Sequence, residues 1–152
     1  MYIIFTTYLF CNLLEYILHK VSHNRHFKYL YNSHHYHHVV EFPPHKLVDN
    51  NIEYRSFIYN EYLHVSTILW IISYIYLDLY QFTEFFIESI IYLLCCDYLH
   101  SSYHRDNSYL EKCNWFKKKK KLHLLHHKKT VHNFNLFDNT SDKLLNTFKS
   151  VD

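Results

Sequence analysis

The sequence predicts an all-α integral membrane protein with about three transmembrane helices and a helical, histidine-rich cap on the cytosolic side. Three observations lead to this prediction. The 152 residues include no glycine and only two prolines, so the turns that a many-stranded sheet requires have few residues to form them. Three long stretches are apolar, and all sixteen Lys and Arg residues lie outside them. The whole chain, residues 1–152, is interpreted as one domain.

The apolar stretches are residues 2–18, 62–80 and 82–99. Each has close to the ~17–25 residues that a helix needs to cross a bilayer. The second and third stretches are joined by a predicted turn from Asp78 to Glu84 and should form a helical hairpin. The carboxylates within the stretches leave one alternative open, which is a soluble helical protein with the hairpin as its buried core.

The Lys and Arg residues fall in two blocks, five in the segment 19–55 and eleven in the segment 100–149. Because such residues concentrate in the cytosolic parts of membrane proteins, both segments are predicted to be cytosolic. The run Lys117–Lys121 is interpreted as a solvated helix face that can also attract anionic headgroups. The four Cys residues have no metal-binding or redox spacing, which fits a reducing compartment.

Histidine is the main functional clue, since the chain has 15 His residues and its bias toward Lys, Ile, Asn, Tyr and Phe does not account for them. Ten of them form two pairs with His-x3-His spacing and two triplets with His-x2-His-His spacing. A given triplet is expected about 0.15 times by chance at this His content. The four clusters are His19 and His23; His34, His37 and His38; His100 and His104; and His123, His126 and His127.

On an α-helix, residues at i, i+3 and i+4 share a face, so each cluster is predicted to direct its imidazoles toward one point. The predicted topology also brings all four clusters to the same side of the membrane. Imidazole is a ligand for Fe, Zn, Cu and Ni, and ten of them are enough for two ions. We therefore predict that all ten are metal ligands or immediate neighbours of ligands. The alternative is a solvated, His-rich surface that binds metal non-specifically. The other five are interpreted as non-ligands: His26, His35, His45, His64 and His132.

Residues around the clusters match further positions of a known family. The segment Glu15-Tyr16-x2-His19-Lys20-x2-His23 is similar to the family's Glu-Tyr-x2-His-Arg-x2-His, and Asp97-x2-His100 is similar to its third cluster. Further matches are Leu30-Tyr31, Pro43, Ile52-Glu53-Tyr54, Ser108-Tyr109-Leu110, Asn133-Phe134-Asn135 and Asp142-x2-Leu145-Asn146-Thr147. Over residues 13–149 the chain thus resembles the fatty acid hydroxylase superfamily, which includes sterol desaturases and fatty acid 2-hydroxylases.

Asn135 and Asn146 stand where that family has glycine. Asn is the residue next most tolerant of left-handed backbone, so the turns at these positions are expected to persist. The segment Ser108-Tyr109-Leu110, followed by a Lys-rich stretch and the last triplet, is similar to the 2-hydroxylase branch. This similarity favours fatty-acyl hydroxylation.

The resemblance implies an O2-dependent lipid hydroxylase or desaturase with two iron ions held by the clustered histidines. Zinc is a further candidate in the isolated protein, although it has no redox chemistry. Polar side chains near the clusters are predicted to orient the ligand rings. These side chains are Glu15, Glu53, Asp97, Asn133 and Asp142.

The resemblance also implies a membrane lipid and O2 as substrates, and an endoplasmic-reticulum-like membrane as the location. Electrons are expected from a separate protein, such as a cytochrome b5 with its reductase, because the chain has no motif for flavin or haem. No nucleic-acid partner is predicted. Three alternatives stay open: a sterol or carotenoid hydroxylase or desaturase with the same site, a catalytically silent metal-binding membrane protein, and a polybasic surface-binding protein.

Overall fold

The computed structural model describes residues 2–51 and 61–151. Within these residues the regular elements are helical, as predicted, and no strand occurs. The helices are α1 (Tyr2–Ser22), α2 (Lys28–Tyr36), α3 (Glu61–Tyr76), α4 (Leu79–Tyr103), α5 (Asn114–Lys128) and α6 (Thr140–Leu144). Helix α2 continues into a π-helical turn, His37–Glu41, and a short 3-10 helix, Tyr109–Lys112, precedes α5. The matched segment Ile52-Glu53-Tyr54 lies outside the described residues.

The predicted hairpin is present as α3 and α4. Its turn is shorter than the predicted span from Asp78 to Glu84, because α3 ends two residues before Asp78 and α4 begins directly after it. The Asp78 carboxylate accepts a hydrogen bond from the Gln81 N–H (2.9 Å) and so caps the start of α4. Further along, the Trp70 indole N–H donates to the Ser89 hydroxyl (2.7 Å) and joins the two helices.

Helix α1 carries polar side chains inward and apolar side chains outward, and α4 also has exposed apolar side chains. In α1, Asn12 and Glu15 are buried, whereas Phe5 is 63% exposed. This is the reverse of the pattern in an amphipathic helix on the surface of a soluble protein. An apolar surface of this kind marks a contact with membrane or with another protein. Its exposed members in α1, α3 and α4 include Ile4, Phe5, Leu13, Ile17, Ile68, Ile71, Ile75, Ile87, Ile91 and Leu94.

One helix in the described part of the chain, Leu79–Tyr103, is long and apolar enough to cross a membrane, and the apolar helix Tyr62–Tyr76 is shorter. The criterion is thus met in the third predicted stretch only, and the count of three spans stays a prediction. The middle of α1 is in contact with the C-terminal segment. Asn12 Nδ2 donates to the Asp138 carboxylate (3.1 Å), and the Glu15 carboxylate accepts from the Leu136 N–H.

A core cluster joins α1, α4, α5 and the loop that follows α5. Its members are Cys11, Tyr92, Cys96, Leu99, Tyr103, Phe116 and Leu136. The fully buried rings of Tyr103 and Phe116 lie 5.2 Å apart and lock α4 to α5. This packing brings the His residues of α5 against those of α4. All four Cys residues are free, in keeping with the absence of a disulfide pattern in the sequence.

Among the described residues, three non-glycine residues have left-handed backbone, and all are Asn: Asn107 (φ 61°), Asn133 (φ 57°) and Asn146 (φ 57°). Asn146 therefore has the left-handed backbone that the sequence analysis anticipates at this position. Asn135 is not left-handed, and the left-handed residue of this segment is Asn133. Asn135 instead uses its side-chain amide, which donates to the Asn12 carbonyl (2.9 Å) and to Glu15 (3.2 Å).

Candidate metal centre

The ten clustered histidines converge and divide into two groups of five. Within each group the candidate ligand nitrogens all lie within 4.8 Å of one another. We name them the α1 group and the α4 group, after the helices that contain His19 and His100. The α1 group is His19, His23, His34, His38 and His126. The α4 group is His37, His100, His104, His123 and His127.

Each triplet divides between the two groups, so the prediction that a triplet points to one place is wrong. His34 and His38, four residues apart, join the α1 group, whereas His37 between them joins the α4 group. The triplet of α5 divides in the same way, and only His126 joins the α1 group. The reason is that neighbouring helical residues are about 100° apart around the axis, so adjacent imidazoles diverge. Each group therefore combines two i, i+4 pairs with one ring from the other half of the chain.

The two groups contact each other through stacked and edge-to-face rings. His38 and His127 stack with centroids 4.0 Å apart and ring planes 16° apart. The adjacent pair His37 and His38 has centroids 5.6 Å apart, and His126 and His127 have centroids 6.1 Å apart. Metal ions in the two groups would therefore be neighbours.

Five of the rings are held in place through Nδ1. The acceptors are Phe134 O for His19, His132 O for His126 (2.7 Å), Leu47 O for His104 (2.8 Å), Phe42 O for His127 (3.1 Å) and the Glu41 carboxylate for His37 (3.2 Å). A carbonyl oxygen can only accept, so Nδ1 carries the hydrogen on the four rings that bind carbonyls. Nε2 of each of these rings keeps a lone pair, which is the form that binds a metal ion.

In the α4 group, one Nε2 atom lies within hydrogen-bond distance of two others, but the three atoms have too few hydrogens to make both bonds. His123 Nε2 lies 2.8 Å from His104 Nε2 and 3.2 Å from His127 Nε2. Since His104 and His127 carry their hydrogen on Nδ1, one hydrogen on His123 Nε2 satisfies only one of these contacts. Both ring nitrogens of His38 and the Nε2 of His19 are buried without a hydrogen-bond partner in the described residues. Buried polar atoms are normally paired, and a cation at the centre of each group would pair these.

Burial keeps these rings neutral. It lowers the pKa of His127 to about 2 and the pKa values of His23 and His104 to about 4. A metal–imidazole bond is ~2.1 Å long, so ligands on opposite sides of an ion lie ~4.2 Å apart. Spacings of up to 4.8 Å need only a small contraction. The residues present therefore fit metal ions.

Two of the polar residues predicted to orient the rings, Asn133 and Asp142, bond to backbone groups rather than to the rings. The carboxylate of buried Asp142 accepts from the N–H groups of Phe134 and Asn135 (both 2.9 Å). The Asn133 side chain donates to the Lys149 carbonyl (3.0 Å) and accepts from the Lys149 N–H (2.8 Å). These bonds fix the loop whose carbonyls hold two rings of the α1 group. Backbone carbonyls, rather than the predicted side chains, therefore orient His19 and His126.

Glu15 also acts on this loop. It accepts from the Tyr92 hydroxyl (2.7 Å), from the Asn135 side chain (3.2 Å) and from the Leu136 N–H. Asp97 lies half-buried in α4, one turn before the first His of that helix. Glu53 lies outside the described residues. Sequence reasoning missed Glu41, whose signal is its position four residues after a cluster His in a helical segment.

The structure corrects the prediction that the whole run Lys117–Lys121 is solvated, because Lys119 is buried. Lys119 is 3% exposed, and its ammonium donates to the Asn135 carbonyl (2.9 Å), the Asp138 carbonyl (3.1 Å) and the Asn139 side chain (2.7 Å). Burial lowers its pKa to about 8. The residue faces inward because α5 turns one side of the Lys run toward the same loop that Asp142 holds.

An apolar cleft lies between α1, α3 and α4. One end includes Leu18, the residue before His19. The other end is aromatic and includes Phe10, Trp70 and Phe85. The Phe10 and Phe85 rings meet edge to face with centroids 5.8 Å apart. The polar side chains on the walls are Glu15, Tyr62, Ser66, Ser89 and Tyr92.

The geometry defines a class of site, namely two adjacent, buried, all-imidazole candidate metal sites beside an apolar cleft. No family model matches the chain, and no curated protein or solved structure is significantly similar to it. The five His residues outside the clusters lie outside both groups. One of them, His35, stacks on Tyr31 (5.0 Å between centroids) and provides a matched control for the ligands.

Proposed function

We propose that this protein is a membrane-bound two-metal oxygenase that hydroxylates a lipid C–H bond, with a fatty-acyl chain as substrate. The observation that carries the proposal is the division of the ten clustered histidines into two adjacent groups of five. Iron is the proposed metal, because imidazole suits it and zinc has no redox chemistry. When bound, two iron ions would supply the redox chemistry that activates O2, and five nitrogens would leave one octahedral position open on each.

The proposed reaction consumes one O2, two electrons and two protons for each C–H bond. One oxygen atom enters the C–H bond to give an alcohol, and the other leaves as water. Desaturation would use the same O2, electrons and protons and release both oxygen atoms as water. The resemblance to the 2-hydroxylase branch favours the alcohol. A separate protein, such as a cytochrome b5 with its reductase, is proposed as the electron donor.

The protein's residues have distinct roles in this proposal. The imidazoles are kept neutral by burial and hold the ions. The carbonyls of Phe42, Leu47 and Phe134 keep ring nitrogens aimed at the centres. The apolar cleft excludes water and guides the chain toward the histidines, which gives the reacting carbon a fixed approach.

The membrane location is part of the same proposal. Helix α4 would cross the bilayer, the exposed apolar faces of α1 and α3 would contact lipid, and the histidines would lie at the cytosolic boundary of an endoplasmic-reticulum-like membrane. The length and apolarity of α4 and the absence of Lys and Arg from the apolar stretches support it. Extraction of cell membranes with alkaline carbonate should leave the protein in the membrane pellet, and its release into the supernatant would contradict the spanning helix.

The activity is tested by expressing the full chain in membranes with a cytochrome b5 and its reductase and profiling the lipids by mass spectrometry. We expect a product one oxygen atom heavier than its parent, lost in His37→Ala and retained in His35→Ala. Iron-loaded protein that gives no product in acyl, sphingolipid or sterol pools would contradict the proposal. Products confined to sterols or carotenoids would favour that alternative. Tightly held zinc with no O2 consumption would favour a silent metal-binding protein.

A further inference from the structure

We propose that the two histidine groups bind metal with unequal affinity and that the α4 group fills first. The inference rests on the proposed two-metal site but not on oxygenase activity. It follows from a difference in how the two groups are held before any metal binds.

The α4 group has more of its rings fixed. Three of its five rings, His37, His104 and His127, have Nδ1 bonded to an oxygen acceptor. In the α1 group only His19 and His126 have such a bond within residues 2–51 and 61–151. Fixing a ring before binding removes part of the entropy cost of capturing the ion.

The α4 group also has the only carboxylate bonded to a cluster ring in the described part of the chain. Glu41 lies 3.2 Å from His37 Nδ1. A carboxylate on the far nitrogen makes an imidazole a stronger ligand, and its negative charge offsets part of the charge of the ion. The acceptors in the α1 group are neutral carbonyls.

Packing acts in the same direction. The ring of buried Phe42 stacks on His104 with centroids 3.8 Å apart and planes 19° apart. In the α1 group His23 and His34 are both half-buried, whereas in the α4 group only His100 is. The α1 group is therefore the more open and less constrained of the two.

The size of the difference follows from the number of outer contacts. Loss of one outer hydrogen-bond partner of a ligand lowers metal affinity by ~10–100-fold. With one additional anchored ring, which is held by a carboxylate, the α4 group should bind its first ion at least ~10-fold more tightly than the α1 group.

The test titrates metal-free, full-length protein in detergent with Co²⁺, whose visible absorption reports each binding step, against a chelator of known affinity. Two matched variants remove the second member of an i, i+4 pair, His104→Ala in the α4 group and His23→Ala in the α1 group. Glu41→Gln keeps all ten imidazoles and changes only the outer carboxylate. His35→Ala is the control, and circular dichroism reports helix content throughout.

We expect two steps in the wild-type protein and in His35→Ala. His104→Ala should lose the tight step, His23→Ala should lose the weak step, and Glu41→Gln should weaken the tight step by ~10-fold. If either Ala variant loses helix content, Glu41→Gln decides the assignment. Steps of equal affinity, or a tight step lost in His23→Ala, would overturn the inference. A single-phase titration in protein that oxygenates lipid overturns this inference alone, whereas two phases without any product overturn only the proposed function.

Discussion

The two histidine groups together form a pocket, and this pocket and the apolar cleft are built in opposite ways. In the pocket, five of the ten rings are held by a hydrogen bond from Nδ1 to an oxygen acceptor, such as Phe42 O for His127. In the cleft, apolar and aromatic side chains dominate the walls, and five lining residues carry a polar side-chain atom other than sulfur or the indole N–H of Trp70. The two regions share one wall, formed by Glu15 and the loop at Leu136.

This difference predicts how substitutions in the two regions affect the protein. When one member of a hydrogen-bonded network is replaced, a whole hydrogen bond is lost. The partner that remains is buried without a hydrogen bond, so its full desolvation cost lowers stability. The contacts of an apolar cleft are individually weak and numerous, so that a replacement reshapes the cleft without dismantling it. Changes near the pocket should therefore act through metal affinity and stability, and changes in the cleft through the choice of substrate.

The largest effect is expected from Asp142→Ala, which removes the acceptor of two buried N–H groups and of the Thr147 hydroxyl. A hydrogen bond to a charged group contributes ~1.5–3 kcal/mol, so the free energy of unfolding should fall by ~3 kcal/mol or more. Metal affinity should fall by ~10–100-fold in the α1 group, whose ring His19 depends on this loop, and little in the α4 group. Denaturant unfolding and Co²⁺ titration measure the two effects.

Asp106→Asn is the matched control, because that carboxylate is exposed. It should leave both quantities unchanged. If Asp142→Ala weakened the two groups equally, the loop would not act on the α1 group specifically, and the comparison between pocket and cleft would lose its main support.

The sequence predicts the ten candidate ligands because their spacing is local and a helix converts spacing into direction. It does not predict the division of each triplet, since adjacent residues such as His37 and His38 diverge only once the backbone direction is known. The carbonyls that hold the rings leave no trace in the sequence, because every residue has one. Lys119 was predicted to be solvated along with its neighbours, since a run of lysines hides which member the helix turns inward.

A smaller and different effect is expected in the cleft from Phe85→Ala. This ring closes the aromatic end together with Phe10, so its removal should lengthen the space available to a chain. The ratio of kcat/KM for longer over shorter acyl chains should rise by ~10-fold, the lower end of what one methylene group contributes to discrimination in a hydrophobic pocket. Turnover of chains of graded length measures it, and metal affinity should stay as in the wild type.

Phe82→Ala serves as the control, because Phe82 lies in the same helix but contacts Tyr74 and Phe86 rather than the cleft. A change in metal affinity in Phe85→Ala, or an equal shift of chain length in Phe82→Ala, would show that pocket and cleft are not separable in this way.

The smallest effect concerns Lys119, which holds the shared loop from the side of α5. Burial lowers its pKa to about 8 in the folded protein from 10.5, so between these values the unfolded chain binds more protons than the folded one. Stability should therefore rise with pH in this window, by about 1 kcal/mol between pH 8 and 9, and should not change through this group below pH ~7. Lys119→Met should abolish that rise, whereas Lys118→Met, at an exposed position, should keep it. Denaturant unfolding at a series of pH values measures the slope of stability against pH. If the wild-type slope were identical to that of Lys119→Met, the loop would not confine the Lys119 ammonium. The wall between pocket and cleft would then depend on Glu15 and Asp142 alone.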